Sequence, residues 1–239
     1  MVCQEDRGRL LRERLRLKVP TMVVPNSCFD CYQAIQSENR SFPHSRPHRV
    51  VFIYQGVNHL DRRYLCELVN AFGSVDADVL LRLALTGDPK NTAILRSLAV
   101  RTKHPEQLEF ADYVPYPQHF AAAQRCHVGI MLYRQDVSLN YRYCAPNKLY
   151  EYAMLGLPVL SSDQDHLRAQ IECNGFGLCV DPGDSQALVD AIIRMTNSET
   201  LREMGLRARR WYERFGRYEV AATRLEDWCV TLSARSTAS

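Results

Sequence analysis

Short apolar runs alternate along most of the chain with longer segments whose apolar residues recur at three and four. Val50-Val-Phe-Ile-Tyr54 is apolar on both faces and rich in β-branched and aromatic side chains, the pattern of a central parallel strand. Leu60, Tyr64, Leu65, Leu68, Val69 and Phe72 then share one helical stripe, which predicts a helix over 60–72. The same reading predicts strands at 79–86, 107–111, 128–133, 158–161 and 177–180, with helices at 93–102, 118–125, 147–155, 166–172 and 185–195. Strand and helix alternating in this way require parallel neighbours joined by right-handed crossovers. The predicted fold is α/β, a Rossmann-like parallel sheet flanked by helices, over residues 49–197. Residues 198–239 add C-terminal helices. Thr200-Leu-Arg-Glu203 has capping-box spacing ahead of Met204, Leu206 and Trp211, and 218–232 reads as a terminal amphipathic helix.

The first 48 residues stand outside that series. Residues 5–17 read as a basic helix carrying Leu10, Leu11 and Leu15, and 21–24 as a short strand ending at Pro25-Asn26. Residues 27–48 are polar, with Pro43 and Pro47 near their end, and read as a linker.

Composition narrows the class. The chain has 239 residues, more than a typical single domain of about 150. Lys and Arg total 30 against 27 for Asp and Glu, a net charge of +3 that argues against a nucleic-acid-binding tail. No apolar run approaches the ~18 residues that span a bilayer, and the N-terminus lacks the apolar stretch of a secretory signal. A cytoplasmic protein without a membrane span is expected, with peripheral association left open. The nine cysteines are odd in number and mostly lie in apolar stretches, so buried free thiols are expected and a disulfide framework is not.

Several chemical-looking patterns fail on inspection. Cys28-x2-Cys31-x12-His44-x3-His48 has zinc-finger spacing, but Pro43 and Pro47 break the helix that must carry both histidines, and a surface linker is preferred. Asp76-Ala-Asp78 precedes its strand, where a metal-binding pair should follow one. Asp163-Gln-Asp165 does follow a strand, but Asp165 suffices as a helix cap. There is no G-x-G-x-x-G and no Walker A sequence, which removes the main support for a dehydrogenase or a P-loop NTPase. The arginines of the first helix, Arg7 to Arg16, are interleaved with glutamate and read as a solvated face, not a nucleic-acid surface.

The segment from Ser138 to Val159 carries more. A polar loop follows a buried strand, Pro146 occupies a position favoured at a first helical turn, and Asn147, Lys148 and Glu151 fall in the opening turns of the helix. Open amides and the positive dipole end suit a diphosphate, and Lys148 adds a full charge. Glu151 stands one turn on, placed to accept hydrogen bonds from a ribose. Open α/β sheets bind ligands beyond the carboxyl ends of their strands, which is where this loop lies.

The run Pro146-Asn-Lys-Leu-Tyr-Glu-Tyr-x4-Gly-Leu-Pro-Val159 resembles the donor-binding helix of the retaining GT-B glycosyltransferases of family 4. The resemblance continues in order along residues 21–232. Tyr54-Gln-Gly56 followed by Arg62 is similar to the family's first strand and phosphate loop, and Leu85-Thr-Gly-Asp88 to the glycine turn after the second. Phe110-x-x-Tyr-Val-Pro115 looks like the base-holding loop, and Gly175-Phe-Gly177 with Val180-Asp-Pro182 like the late strand and turn. Residues 1–26 resemble the trailing edge of the family's N-terminal domain, the rest of which is not in this sequence.

The resemblance implies the donor-binding half of a glycosyltransferase that takes a nucleotide-sugar, retains anomeric configuration and needs no obligatory metal cofactor. Arg62, Lys148 and Glu151 would be its catalytic residues. Gly56, Thr86, Gly87, Val114, Tyr143, Pro146, Asn147 and Leu149 would line its donor site. In the family's E-x7-E pattern Glu151 is the second acid, and the first position is Tyr143 here. A separate acceptor-domain protein is an expected partner, and the chain alone is expected to turn over little. The rivals are a non-catalytic nucleotide-sugar-binding subunit and a GT-B-fold epimerase, for which only Glu151 is suitably placed.

Overall fold

The computed structural model describes residues 1–19, 21–30 and 49–236. Strand β1 (Val50–Val57) lies inside a six-stranded sheet, pairing in parallel with β2 (Val79–Thr86) on one side and β4 (Val128–Met131) on the other. Beyond β2 comes β3 (Leu108–Ala111), and beyond β4 come β5 (Val159–Ser162) and β6 (Gly177–Val180), giving the order β3-β2-β1-β4-β5-β6 with every pair parallel. The α/β, Rossmann-like prediction therefore holds. Because side chains alternate along a strand, Phe52 and Tyr54 face one helical layer and Ile53 the other, and all three are fully buried. The first layer includes α2 (Leu65–Phe72), α3 (Pro89–Ala99) and α8 (Ser185–Arg194). The second includes α4 (His119–Gln124), α6 (Asn147–Met154), α7 (Asp165–Ile171) and α9 (Ser198–Trp211). Complete burial of a large apolar side chain contributes about 1.5–3 kcal/mol, so this double coverage is what holds β1 in place.

Elsewhere the chain forms α1 (Glu5–Leu15), a single helical turn α5 (Leu139–Arg142) and the terminal α10 (Tyr218–Ser236). No helix among the described residues is long and apolar enough to cross a membrane. Among the described cysteines, Cys126 and Cys144 are buried. The expectation of generally buried thiols was too broad, since Cys173 and Cys229 are exposed.

Several boundaries move, for local reasons. The helix expected over 60–72 begins only at Leu65, because Tyr64 adopts the left-handed conformation at φ 51° and the preceding residues form an open turn. Asp88, whose side chain accepts from the Lys90 amide at 2.8 Å, starts α3 earlier than its apolar period suggested, with Pro89 in the first turn. Asn197, not Thr200, caps α9 by accepting the Thr200 amide at 3.0 Å. Asp165 is the first residue of α7 and not its cap. The strand expected at 21–24 is reduced to a single parallel bridge between Val2 and Val23. The turn α5 is additional; its signal was Ser138, whose hydroxyl accepts the Tyr141 amide at 3.4 Å.

The winding direction reverses between β1 and β4. At such a switch point the loops leaving the two strands diverge and open a crevice at their carboxyl ends. The β1 loop and the segment from β4 to α6 border it.

Candidate functional site

The β1 loop is shaped by two glycines. Gly56 sits at φ 139°, and a Cβ there would lie 2.9 Å from Lys148 Nζ. Gly87, at φ 117° on the adjoining β2 turn, leaves room for the Asn58 carboxamide, which a Cβ would meet at 2.4 Å. Asn58 is buried and stitches the two turns together. Its Nδ2 donates to the Asp88 carbonyl at 2.6 Å and to Thr92 Oγ1 at 2.8 Å, and its Oδ1 accepts the Asp88 amide at 3.1 Å. Thr86 pairs in register with Val57, so the predicted Thr86 and Gly87 do stand beside the β1 loop.

Gly56→Ala is expected to strain the backbone and displace the Lys148 ammonium, costing of order 1–3 kcal/mol in thermal unfolding and weakening anion binding as well. A variant with wild-type melting and binding would show that the close approach is dispensable.

Lys148 extends from the opening turn of α6 across Gly56, with its ammonium 4.1 Å from the centre of the Tyr54 ring. Desolvation first, and then the positive charge of Arg63, pull its pKa down to about 7, while Glu151 acts in the opposite direction. Arg63 is the second cation. Its guanidinium lies 4.3 Å from the Tyr133 ring centre and 5.1 Å from that of Tyr141. Its Nε and Nη1 are buried and have no hydrogen-bond partner among the described residues. The aromatic neighbours do not neutralise it, because burial pushes the Tyr54 and Tyr133 phenols up and keeps them protonated. Two open cationic groups thus adjoin the N-terminus of an eight-residue helix, whose Pro146 N-cap offers no side-chain acceptor.

Glu151 lies one turn further along α6, largely buried, with Oε2 3.5 Å from His119 Nε2. His119 opens α4 directly after the loop containing Val114, and its carbonyl accepts Gln55 Nε2 at 3.1 Å. Its Nδ1 is buried with no hydrogen-bond partner among the described residues. Val114 is half-buried in that loop.

The structure therefore brings together Gly56, Lys148 and Glu151 among the residues singled out from sequence, with Asn147 exposed at the start of α6. Four others are placed differently. Arg62 lies nearer the surface, pairing with Asp61 at 3.1 Å and with its guanidinium 6.0 Å from the Tyr141 ring centre, and its neighbour Arg63 occupies the more enclosed position. Tyr143 lies on the far side of its loop, lining a cleft of about 560 Å³ with Asp6, Arg9 and His166, and Tyr141 is the loop tyrosine that meets Arg63. Leu149 is buried in the core and Pro146 is also buried, so neither presents an exposed side chain to a ligand.

Arg63 and His119 were not legible beforehand. Arg62 and Arg63 are equivalent by composition, and only the turn at Tyr64 decides which of them faces inward. His119 is the first residue of a short helix, and the signal for it was its position just beyond the Val114 loop.

Among the described residues no group of three or more His, Cys, Asp or Glu side chains is placed to hold an ion. Asp163 is paired with Arg168, and Asp76 with Lys103 and His104. Most of the Cys28 to His48 pattern, namely Cys31, His44 and His48, lies outside the described residues.

With this geometry in hand, comparison with known proteins defines the class. Residues 49–198 match the family described as glycosyl transferases group 1, and the chain belongs to that family. A phosphatidyl-myo-inositol mannosyltransferase of Mycobacterium leprae (strain TN) is 33% identical over 99 residues, covering 38% of this chain and 24% of its own length. Sucrose-phosphate synthase from Thermosynechococcus elongatus superposes with a TM-score of 0.71 at 19% identity, over 98% of this chain and 58% of that one. A trehalose 6-phosphate synthase from Burkholderia multivorans gives 0.67 at 14% identity, over 92% and 52%. The fold is that of one Rossmann-like half of a GT-B glycosyltransferase. The chain spans from about a quarter to just under three-fifths of the length of these proteins.

Proposed function

We propose that the crevice between the β1 loop and α6 binds the diphosphate of a nucleotide-sugar, and that the chain is the donor-binding half of a retaining glycosyltransferase. The observation that carries this reading is Arg63, a half-buried residue whose Nε and Nη1 are buried with no partner among the described residues, adjoining Lys148 at the switch point of the sheet. An unpaired buried donor costs about 1–3 kcal/mol, more when charged, and an anion in the crevice offsets that cost. The carboxyl-end crevice is also where this fold class takes its ligands.

Each residue then has a role. Arg63, Lys148 and the α6 amides stabilise the charge that develops on the leaving diphosphate as the glycosidic bond breaks, the kind of preorganised stabilisation that usually dominates catalysis. Glu151, with His119 beside it, receives the ribose hydroxyls, and the backbone around Val114 holds the base. Gly56 and Gly87 let the backbone approach the ligand closely. This chemistry uses fixed cations and requires no obligatory metal. The acceptor, a glycan or lipid-linked saccharide, is assigned to a second domain on the same polypeptide or on a partner. A second reading, a non-catalytic nucleotide-sugar-binding subunit, is favoured by Tyr143 at the position of the family's first acid, since a tyrosine is not anionic at neutral pH. Sugar transfer by the chain supplied with acceptor domains separates the two.

The direct test is calorimetric titration with UDP, GDP and ADP across pH. The folded pKa of Lys148, about 7, lies below its ordinary 10.5, so the free chain loses this charge as pH rises through 7. Binding a diphosphate restores the charge by taking up a proton. Affinity is expected to fall by up to about tenfold per pH unit above 7, with proton uptake approaching one per site when buffers of different ionisation heat are compared. Pairing with a pH-independent affinity would remove Lys148 from the site, and no binding of any of the three diphosphates would overturn the proposal.

A further inference from the structure

The segment joining α5 to α6 has carbonyls that belong to no strand ladder, and such groups need donors from elsewhere. Gln164, just before α7, supplies one by donating Nε2 to the Tyr141 carbonyl at 3.1 Å. His166 supplies another at the Cys144 backbone, and further donors come from the N-terminal segment, more than a hundred residues away in sequence. Arg7 on α1 donates Nε to the Tyr143 carbonyl at 2.6 Å, and its Nη2 reaches the Asn140 carbonyl at 3.1 Å and Asn140 Oδ1 at 2.6 Å. Asn26 donates Nδ2 to the Ala145 carbonyl at 2.7 Å. Arg7 thus spans both ends of the stretch that presents Tyr141 to Arg63, and Asn26 holds the residue just before Pro146 and the start of α6.

The anchor is itself tied down. Val2 and Val23 bridge in parallel on either side of α1, with Val2 N–H donating to Met22 at 3.0 Å and Val24 N–H to Val2 at 2.8 Å. Downstream, the Cys28 carbonyl accepts Tyr212 Oη at 2.7 Å, and Asp30 forms an ion pair with Arg209 at 2.6 Å in which both side chains are largely buried. The N-terminal segment is therefore fastened to the C-terminal helices, and from there it grips the loop.

We infer that this N-terminal segment, a helix closed by the Val2–Val23 bridge, is a clamp on the donor loop, with Arg7 a positioning residue that acts on the diphosphate site through the loop without touching the ligand. The link to ligand binding rests on the donor-site reading above; the grip on the loop does not. The planar guanidinium fork suits two carbonyls at once, and a lysine offers a single compact charge in its place.

Amide hydrogen exchange on the full chain without ligand tests the grip. The amides of Tyr141, Arg142 and Tyr143 close the α5 turn onto Ser138 and Leu139 and report on it. In Arg7→Ala they are expected to exchange about tenfold faster or more, in Asn26→Ala by a smaller factor, and in Arg14→Ala, on the same helix, at the wild-type rate. Calorimetry with UDP, GDP and ADP tests the consequence: Arg7→Ala is expected to bind the preferred diphosphate about five- to tenfold more weakly at unchanged pH dependence, and Arg7→Lys to recover only part of the loss. Unchanged exchange overturns the clamp. Faster exchange with wild-type affinity overturns its link to the ligand site. If the wild-type chain binds none of the three diphosphates, the donor reading fails and the exchange result alone decides the clamp. Should Arg7→Ala lose its fold, Asn26→Ala, at an exposed residue, carries both measurements.

Discussion

Arg63→Ala is expected to weaken nucleoside-diphosphate binding by roughly 100-fold or more, while Arg62→Ala changes it by less than about threefold. The larger figure follows from removing a cation with two buried donors awaiting an acceptor, each charge-assisted bond being worth about 1.5–3 kcal/mol. The smaller follows from the exposure of Arg62 and its pairing with Asp61, since exposed ion pairs contribute about 0–1 kcal/mol. Stability should separate the two as well. Arg63→Ala removes unmet polar groups but also a guanidinium stacked between Tyr133 and Tyr141, so its melting temperature should move by only a few degrees, far less than binding does. Calorimetry on the three proteins under one set of conditions decides the matter. Equal losses in both variants, or a loss confined to Arg62→Ala, would move the phosphate site out of the crevice.

Lys148→Met is expected to weaken the same binding by about 1.5–3 kcal/mol, roughly 10- to 150-fold, and also to raise the stability of the free chain. The second effect follows from the sign of the pKa shift. Folding lowers the Lys148 pKa from 10.5 to about 7, so between those values the unfolded chain binds more protons than the folded one. The contribution of this group to stability therefore rises with pH across that window and is least favourable below pH 7, where the ammonium must stay charged beside Arg63. Methionine keeps the length of the stem without the charge. A gain of about 1 kcal/mol, or ~2–4 °C in melting temperature for a chain of this size, is expected near pH 7 and should fade toward pH 10. Lost binding without any gain in stability would mean that the ammonium is better solvated in the free chain than its position over Tyr54 indicates.

A residue kept at a cost to stability is one that the ligand completes. The same logic links Arg63 and His119, whose Nε and Nη1 and whose Nδ1 respectively are buried without a partner among the described residues, His119 standing beside Glu151. In the proposed reading, an occupant with anionic and hydroxyl groups together would meet this hydrogen-bonding capacity.

The sheet was legible before any coordinates because its signal is local and redundant. Val50 to Tyr54 is apolar on both faces for the reason that helices cover both faces of a parallel sheet, and β2 and β6 kept the very limits their composition indicated. The place of Lys148 and Glu151 on the opening turns of α6 was legible because a proline followed by charged and apolar residues at helical spacing defines a helix start within a few residues. Where the chain leaves regular structure, that redundancy ends. The period of Leu60 to Phe72 reads as continuous helix, yet the first residues belong to the turn that carries Arg62 and Arg63, and the left-handed Tyr64 leaves no periodic trace.

The amino-acid order by itself thus determined the class of fold, the end of the sheet at which the crevice opens, and the helix that borders it, because these follow from periodicity and from helix-terminus chemistry. Only the tertiary structure decided which of two adjacent arginines enters the crevice, which of two tyrosines meets it, and that Arg7 and Asn26 hold the loop from across the chain. Those choices depend on burial and on hydrogen bonds between residues far apart in sequence, and no local pattern encodes either.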